Sequence, residues 1–168
     1  MEKSAIFFDR DGVLNEDSGY VYKPNDFKWI AGAVETIKHL KSNGYTIIVI
    51  TNQSGVARGY YTEEDVKDLH NWMNDVLYQK HDVQIDSFYY CPHHPTIGFS
   101  PYKTLCECRK PRPGLINKAL SEFRIDINRS YFIGDKDSDM KAAAAVGLRG
   151  YKFSTGNLFE FMIDQRIL

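Results

Sequence analysis

A chain of 168 residues that is 43% hydrophobic and 26% charged has the mixture of one globular domain, which excludes disorder and low complexity. Its 21 basic and 22 acidic residues leave a net charge of −1, without the basic footprint of non-specific nucleic-acid binding. No apolar run approaches the roughly 20 residues of a membrane span, Met1–Ser4 lacks a signal-peptide layout, and three cysteines suit no secreted disulfide framework. The expected address is the cytoplasm.

Short apolar runs alternate with segments of helical period, the pattern of an α/β protein with a parallel sheet. The expected strands are Ser4–Phe8, Tyr45–Ile50, Ser87–Tyr90, Ser130–Ile133 and Gly150–Phe153, mostly continuous Ile, Val, Phe and Tyr, as strands covered on both faces should be. Helices are expected from Ala33 to Ser42 and after the N-cap Thr62, with Val66, Leu69, Met73, Val76 and Leu77 on one face. Two more begin near Pro113 and Ser138, the last closing at Gly147. After Phe153 only Ser154–Leu168 remain, and no further strand–helix unit is expected there. The irregular stretch Cys91–Arg112 is too long for an ordinary crossover loop and is either functional or separately braced.

Polar residues cluster where the strands end, at Asp9, Thr51, Cys91 and Asp135, and an open parallel sheet keeps its ligand crevice at that edge. Asp9-Arg10-Asp11-Gly12 puts two carboxylates on one side of a tight turn. Asp9 can attack an electrophile while Asp11 trades a proton with leaving group and water; alternatively one Asp caps the turn and the other is solvated. Asp135, in Gly134-Asp135-Lys136-Asp137, adds a third carboxylate to an oxygen-rich pocket that suits magnesium. Thr51-Asn52-Gln53-Ser54-Gly55 offers a hydroxyl and backbone amides to phosphoryl oxygens, and Lys110 a compact positive charge. Together these groups describe phosphoryl transfer.

Four ordered motifs, Asp9-Arg10-Asp11-Gly12, Ile50-Thr51-Asn52, Lys110 and Gly134-Asp135-Lys136-Asp137, resemble the haloacid dehalogenase superfamily of aspartyl-phosphate phosphohydrolases. The resemblance implies a Rossmann-like three-layer sandwich forming one domain over 1–168, without a separate cap domain. It also implies a phosphoaspartate at Asp9, acid/base work by Asp11, and phosphoryl stabilisation by Thr51 and Lys110. Magnesium would lie on Asp9, the Asp11 backbone carbonyl and Asp135.

All three cysteines fall in Cys91-Pro92-His93 and Cys106-Glu107-Cys108. Three thiolates and one imidazole make a closed tetrahedral set, a structural zinc site of Cys91, His93, Cys106 and Cys108; free thiols with chance histidines, or His94 as competing ligand, are the alternatives. Bound metal would order the loop. Arg109 beside it can hold a second phosphate in bidentate fashion, with Arg58 able to assist and Lys136 also facing the phosphates.

The zinc-loop sequence is similar to the D-glycero-D-manno-heptose 1,7-bisphosphate 7-phosphatases and to their relatives, the histidinol-phosphate phosphatases. Asn52, Gln53 and Ser54, in the run Thr51–Gly59, favour the heptose side, as do Asp17, Ser18, Gly19 and Tyr20, except that Ser18 stands where that family has His. The resemblance implies that these residues and Arg109 bind a small phosphorylated sugar, yielding heptose 1-phosphate for nucleotide activation; a monomer is expected, and charge and hydropathy argue against a nucleic-acid or membrane partner. A polynucleotide 3′-phosphatase or a phospho-accepting signalling module would share the scaffold, but Asp11 argues for turnover. Trp29 and Trp72 read as packing residues, and His39, His70 and His81 as surface residues. Asp137 reads as a helix cap or a partner to the site, and Asp139 as a first-turn residue or hydrogen-bond partner there.

Overall fold

A computed structural model describes residues 2–168. Five strands, β1 (Ala5–Phe8), β2 (Thr46–Asn52), β3 (Ser87–Cys91), β4 (Tyr131–Gly134) and β5 (Arg149–Lys152), alternate with helices α1 (Ala33–Ser42), α2 (Glu63–His81), α3 (Gly114–Glu122) and α4 (Asp137–Ala145). A fifth helix, α5 (Leu158–Asp164), follows β5. The strands form one parallel sheet in the order β3-β2-β1-β4-β5, and Phe7 pairs in register with both Ile48 and Phe132.

Side-chain alternation along the strands divides the interior into two layers. Ile6 and Phe8 of β1 and Ile47 and Val49 of β2 pack with Ile37 and Leu40 of α1, Leu69 and Met73 of α2, and Leu158 and Met162 of α5. Ala5 and Phe7 face the other way, with Ile48, Ile50 and Phe132, onto Leu115 and Ile116 of α3 and Ala142 and Ala143 of α4. Each large apolar side chain so buried contributes about 1.5–3 kcal/mol. All of β1 is buried, whereas the edge strand β5 is exposed or half-buried, so only the inner strands are covered on both faces.

The expected elements form with small shifts at their ends, and β2 runs on through Thr51 and Asn52. Ser154–Leu168 adds no further strand, but it does hold helix α5, which the sequence pattern did not place. Asn157 Oδ1 accepts from the Phe159 and Glu160 amides, and Leu158 and Met162 bury one face against the sheet. Trp29 and Trp72 pack edge-on around Phe27, as expected.

The chain steps outward from β1 to β2 and β3, then returns to lie on the other side of β1 as β4. Connections leaving β1 and β4 therefore diverge, opening a crevice at the strand C-terminal ends. The β1–α1 connection contains one short 3-10 turn, Pro24–Asp26. A broad depression near Lys41 and Asp86 lies at the opposite edge and gathers no comparable chemistry.

Candidate active site

Asp9 follows the end of β1, where its amide donates to Ile133 O of β4 at 3.0 Å. The carboxylate is buried, accepts from the Arg10 amide at 2.8 Å and pairs with Lys110 Nζ at 3.0 Å. Lys110 Nζ also meets Asp139 Oδ1 at 2.7 Å and donates to Ile50 O at 2.7 Å. Burial alone would lower the Lys110 pKa; the carboxylates of Asp9 and Asp139 outweigh it and hold the ammonium above its ordinary value. Asn52 fixes this lysine from behind, accepting from its amide at 3.0 Å and donating to its carbonyl at 3.2 Å. Asp139 Oδ2 accepts from the Asp135 and Lys136 amides, tying the start of α4 to the same cluster.

Ligand oxygens of Asp9, Asp135 and Asp139 lie within 4.8 Å of one another. Burial pushes Asp9 well above the carboxylate range; Lys110 opposes the rise and neighbouring carboxylates reinforce it. Burial also raises Asp135, whose Oδ1 is buried without a hydrogen-bond partner. Such a surplus of desolvated carboxylate with an orphaned oxygen fits a hard divalent cation. Gly12 completes the cradle: at φ +85° its missing Cβ would lie 2.3 Å from Asp135 Oδ2, so any side chain would displace that carboxylate.

Asp11 lines the same small cavity as Asp9 and Lys110, but its carboxylate has other hydrogen-bond partners. Its carboxylate accepts from Arg10 Nη2 at 3.0 Å, Asn15 Nδ2 at 2.9 Å and Gln53 Nε2 at 3.0 Å. Gln53 is itself buried, donating to Thr51 Oγ1 at 2.8 Å while its Oε1 accepts from Tyr61 OH at 2.6 Å. Because Thr51 Oγ1 already accepts there, its own proton is available to a phosphoryl oxygen.

A cleft of about 540 Å³ brings Asp11, Asp17, Gly19, Tyr20, Asn52, Gln53, Ser54, Arg109, Lys110 and Lys136 onto one surface. Ser18 does not line it. Gly19 N donates to Asp17 Oδ1 in a turn continued by positive φ at Gly19 and Tyr20, and Ser18 sits at the exposed tip. Arg109 reaches the cleft from the Cys91–Arg112 loop, donating from Nη1 to His93 O at 3.3 Å. Arg58 lies over the Tyr20 ring at 5.7 Å.

In that loop the ligand atoms of Cys91, His93, Cys106 and Cys108 lie within 4.8 Å of one another. Cys91 Sγ is 3.6 Å from both His93 Nδ1 and Cys106 Sγ, and the thiols are unbridged. His94 points elsewhere, its Nδ1 accepting from the Thr96 and Ile97 amides. Three soft thiols and one imidazole in this arrangement fit zinc.

Besides Ser18, two further expectations need correction. Asp137 neither caps α4 nor reaches the site; it is exposed and pairs with Lys152 at 2.8 Å. His70 is buried, stacked on Phe88 at 4.5 Å, with Nε2 at 3.2 Å from Arg10 Nη1. Reasoning from sequence also missed the complete burial of Arg10, and the parts played by Asn15 and Tyr61. His70 carried a signal, since it stands four residues after Val66 and three before Met73 on the apolar stripe of α2.

The family model described as polynucleotide kinase 3 phosphatase matches residues 4–154. The D-glycero-beta-D-manno-heptose-1,7-bisphosphate 7-phosphatase of Haemophilus ducreyi is 43% identical over 149 residues, covering 89% of this chain and 81% of the relative. The chain belongs to this phosphatase family, on its heptose-bisphosphate branch. Among solved structures, the D,D-heptose 1,7-bisphosphate phosphatase of B. bronchiseptica, complexed with magnesium and phosphate, is 31% identical with a TM-score of 0.80, covering 96% of this chain and 86% of that one. A HAD-like phosphatase from Mesorhizobium loti is also 31% identical, with a TM-score of 0.83 over 90% and 72% of the two chains. As a heptose-bisphosphate-type phosphatase of haloacid dehalogenase-like fold, the chain is a phosphoric monoester hydrolase.

Proposed function

We propose that this phosphatase removes the 7-phosphate of D-glycero-D-manno-heptose 1,7-bisphosphate and releases heptose 1-phosphate, the species a nucleotidyl transfer would activate. The observation that carries the reading is the pairing of two cationic points in one cleft. Lys110 stands at Asp9, and Arg109, the preceding residue, offers a guanidinium to a second phosphate of the same molecule. The names of the relatives support the sugar, and the two-phosphate layout supports a bisphosphate over a monophosphate.

In the first step a carboxylate oxygen of Asp9 bonds to phosphorus, the bond from phosphorus to the C7 oxygen breaks, and Asp11 gives its proton to that oxygen. In the second, water bonds to phosphorus and passes a proton to Asp11. The bond between Asp9 and phosphorus breaks, releasing inorganic phosphate. Lys110 and the Thr51 hydroxyl neutralise charge on the phosphoryl oxygens, and the cluster holds its geometry beforehand, so little reorganisation is needed during reaction. Magnesium, held by Asp9, Asp135 and the Asp11 carbonyl, would neutralise further charge on those oxygens. Zinc on Cys91, His93, Cys106 and Cys108 would brace the loop that carries Arg109 and Lys110.

We take the chain as one catalytic domain without a cap, working as a cytoplasmic monomer on a small soluble substrate, with no nucleic-acid or membrane partner. The −1 net charge supports the last point. No helix among the described residues is long and apolar enough to cross a membrane.

The test is phosphorus NMR of heptose 1,7-bisphosphate turned over with magnesium. The expected outcome is loss of the C7 resonance and survival of the C1 resonance, with Asp9→Asn inactive. Loss of the C1 phosphate first, or an active Asp9→Asn, would overturn the reading.

A further inference from the structure

Arg10 is fully buried although it carries a permanent charge and five N–H donors. Such a group is tolerable only when its donors find acceptors. Nε and Nη2 are directed at the Asp11 carboxylate, at 3.2 and 3.0 Å from Oδ1, and Nη2 also donates to Val21 O at 2.6 Å. For Nη1 the acceptor is His70 Nε2, at 3.2 Å. The guanidinium thus spans from the acid/base carboxylate at one end to an imidazole of α2 at the other.

The imidazole is itself held. Its ring stacks on Phe88 with an interplanar angle of 14° and lies 6.3 Å from the Tyr90 ring, so β3 fixes the plane in which Nε2 faces Arg10. A nitrogen that accepts from a guanidinium must carry a free lone pair, which places the ring proton on Nδ1. Protonation at Nε2 would replace the acceptor with a donor and set a second cation against Arg10. Burial and the Arg10 charge both push His70 well below the ordinary histidine range, in keeping with the neutral ring.

We infer that His70 is a positioning residue for the phosphatase reaction: as a neutral acceptor it fixes the Arg10 guanidinium, and through it the orientation of the Asp11 carboxylate that moves the proton. His70 touches neither phosphate nor metal ligand, and the inference rests on the acid/base role proposed for Asp11. It predicts that the main effect falls on the chemical step, because His70 does not line the cleft and Arg10 meets the substrate-facing segment only at the Val21 carbonyl.

The test compares His70→Leu, which removes the acceptor, with His70→Gln, whose Oε1 restores one. Expected for His70→Leu is a fall in kcat of about tenfold with KM within about twofold of wild type. His70→Gln should stay within about threefold of wild type in both. A folded His70→Leu with wild-type kcat, or a His70→Gln as impaired as the leucine variant, would overturn the inference. Should His70→Leu not fold, nitrogen-15 NMR of the wild-type protein decides: an imidazole protonated at Nδ1 and bare at Nε2 at neutral pH is expected, and a proton on Nε2 contradicts the inference. Asp11→Asn in the same assay separates the two claims. If it remains active, the acid/base role and the His70 inference fall together; if it is inactive while His70→Leu is unimpaired, only the His70 inference falls.

Discussion

Between Asp9 and Asp11 the chain solves two electrostatic problems with one intervening residue. Asp9 faces Lys110 and the carboxylates that favour a cation, whereas Asp11 turns to Arg10, Asn15 and Gln53. Two carboxylates two residues apart are thereby kept in different environments, as a nucleophile and a proton carrier require. The burial of Arg10 makes His70 matter for stability as well. Its folded pKa lies below the unfolded value of 6.5. The unfolded chain therefore takes up a proton that the native state refuses, and the stabilising contribution is present above that value and lost as pH falls below it. Denaturant titrations at pH 7.5 and 5.5 should show the wild type losing more stability on acidification than His70→Leu. The difference is at most about 1.4 kcal/mol per pH unit. Equal pH slopes would contradict this account.

The loop that follows Cys91 shows how a segment without helix or extended strand can fix the groups proposed for catalysis. It leaves β3 at Cys91, whose carbonyl accepts from the Gln53 amide at 2.7 Å, and returns through Cys106 and Cys108 directly into Arg109 and Lys110. Any ordering at Cys108 is transmitted within two residues to the lysine that pairs with Asp9. Removing zinc with a strong chelator should therefore lower both Tm and kcat, and re-adding zinc, but not magnesium, should restore them. Unchanged activity in protein shown by metal analysis to be zinc-free would contradict the bracing role. The Cys/His cluster of the loop was legible in sequence because cysteines are rare in this chain and all three fall close together there. Helix α5 was not, since only seven residues carry it and its strongest local signal is the single cap Asn157. His70 lies on a helix away from the strand ends, which suggested a surface residue, although its position at the 3–4 period already placed it inside.

The sheet order explains why four clusters scattered between residues 9 and 139 converge. Inner strands read as continuous apolar runs because helices cover both faces, and their polar ends mark the crevice, so the fold and the edge where the clusters converge were visible together. What sequence pattern left open was which groups point at the substrate and which support those that do. Asn52 and Gln53 were expected to bind substrate, yet they also clamp Lys110 and join Asp11 to Thr51, and such divisions depend on tertiary contacts. The match to the polynucleotide kinase 3 phosphatase model leaves substrate class as the question on which the functional account stands or falls. The most direct measurement is kcat/KM with magnesium for heptose 1,7-bisphosphate, histidinol phosphate and a 3′-phosphorylated oligonucleotide. The account predicts a preference of roughly a hundredfold or more for the heptose bisphosphate over histidinol phosphate, which has no second phosphate for Arg109, and a preference over the oligonucleotide, whose further phosphates are singly charged diesters. Equal or faster hydrolysis of histidinol phosphate or of the oligonucleotide would contradict it.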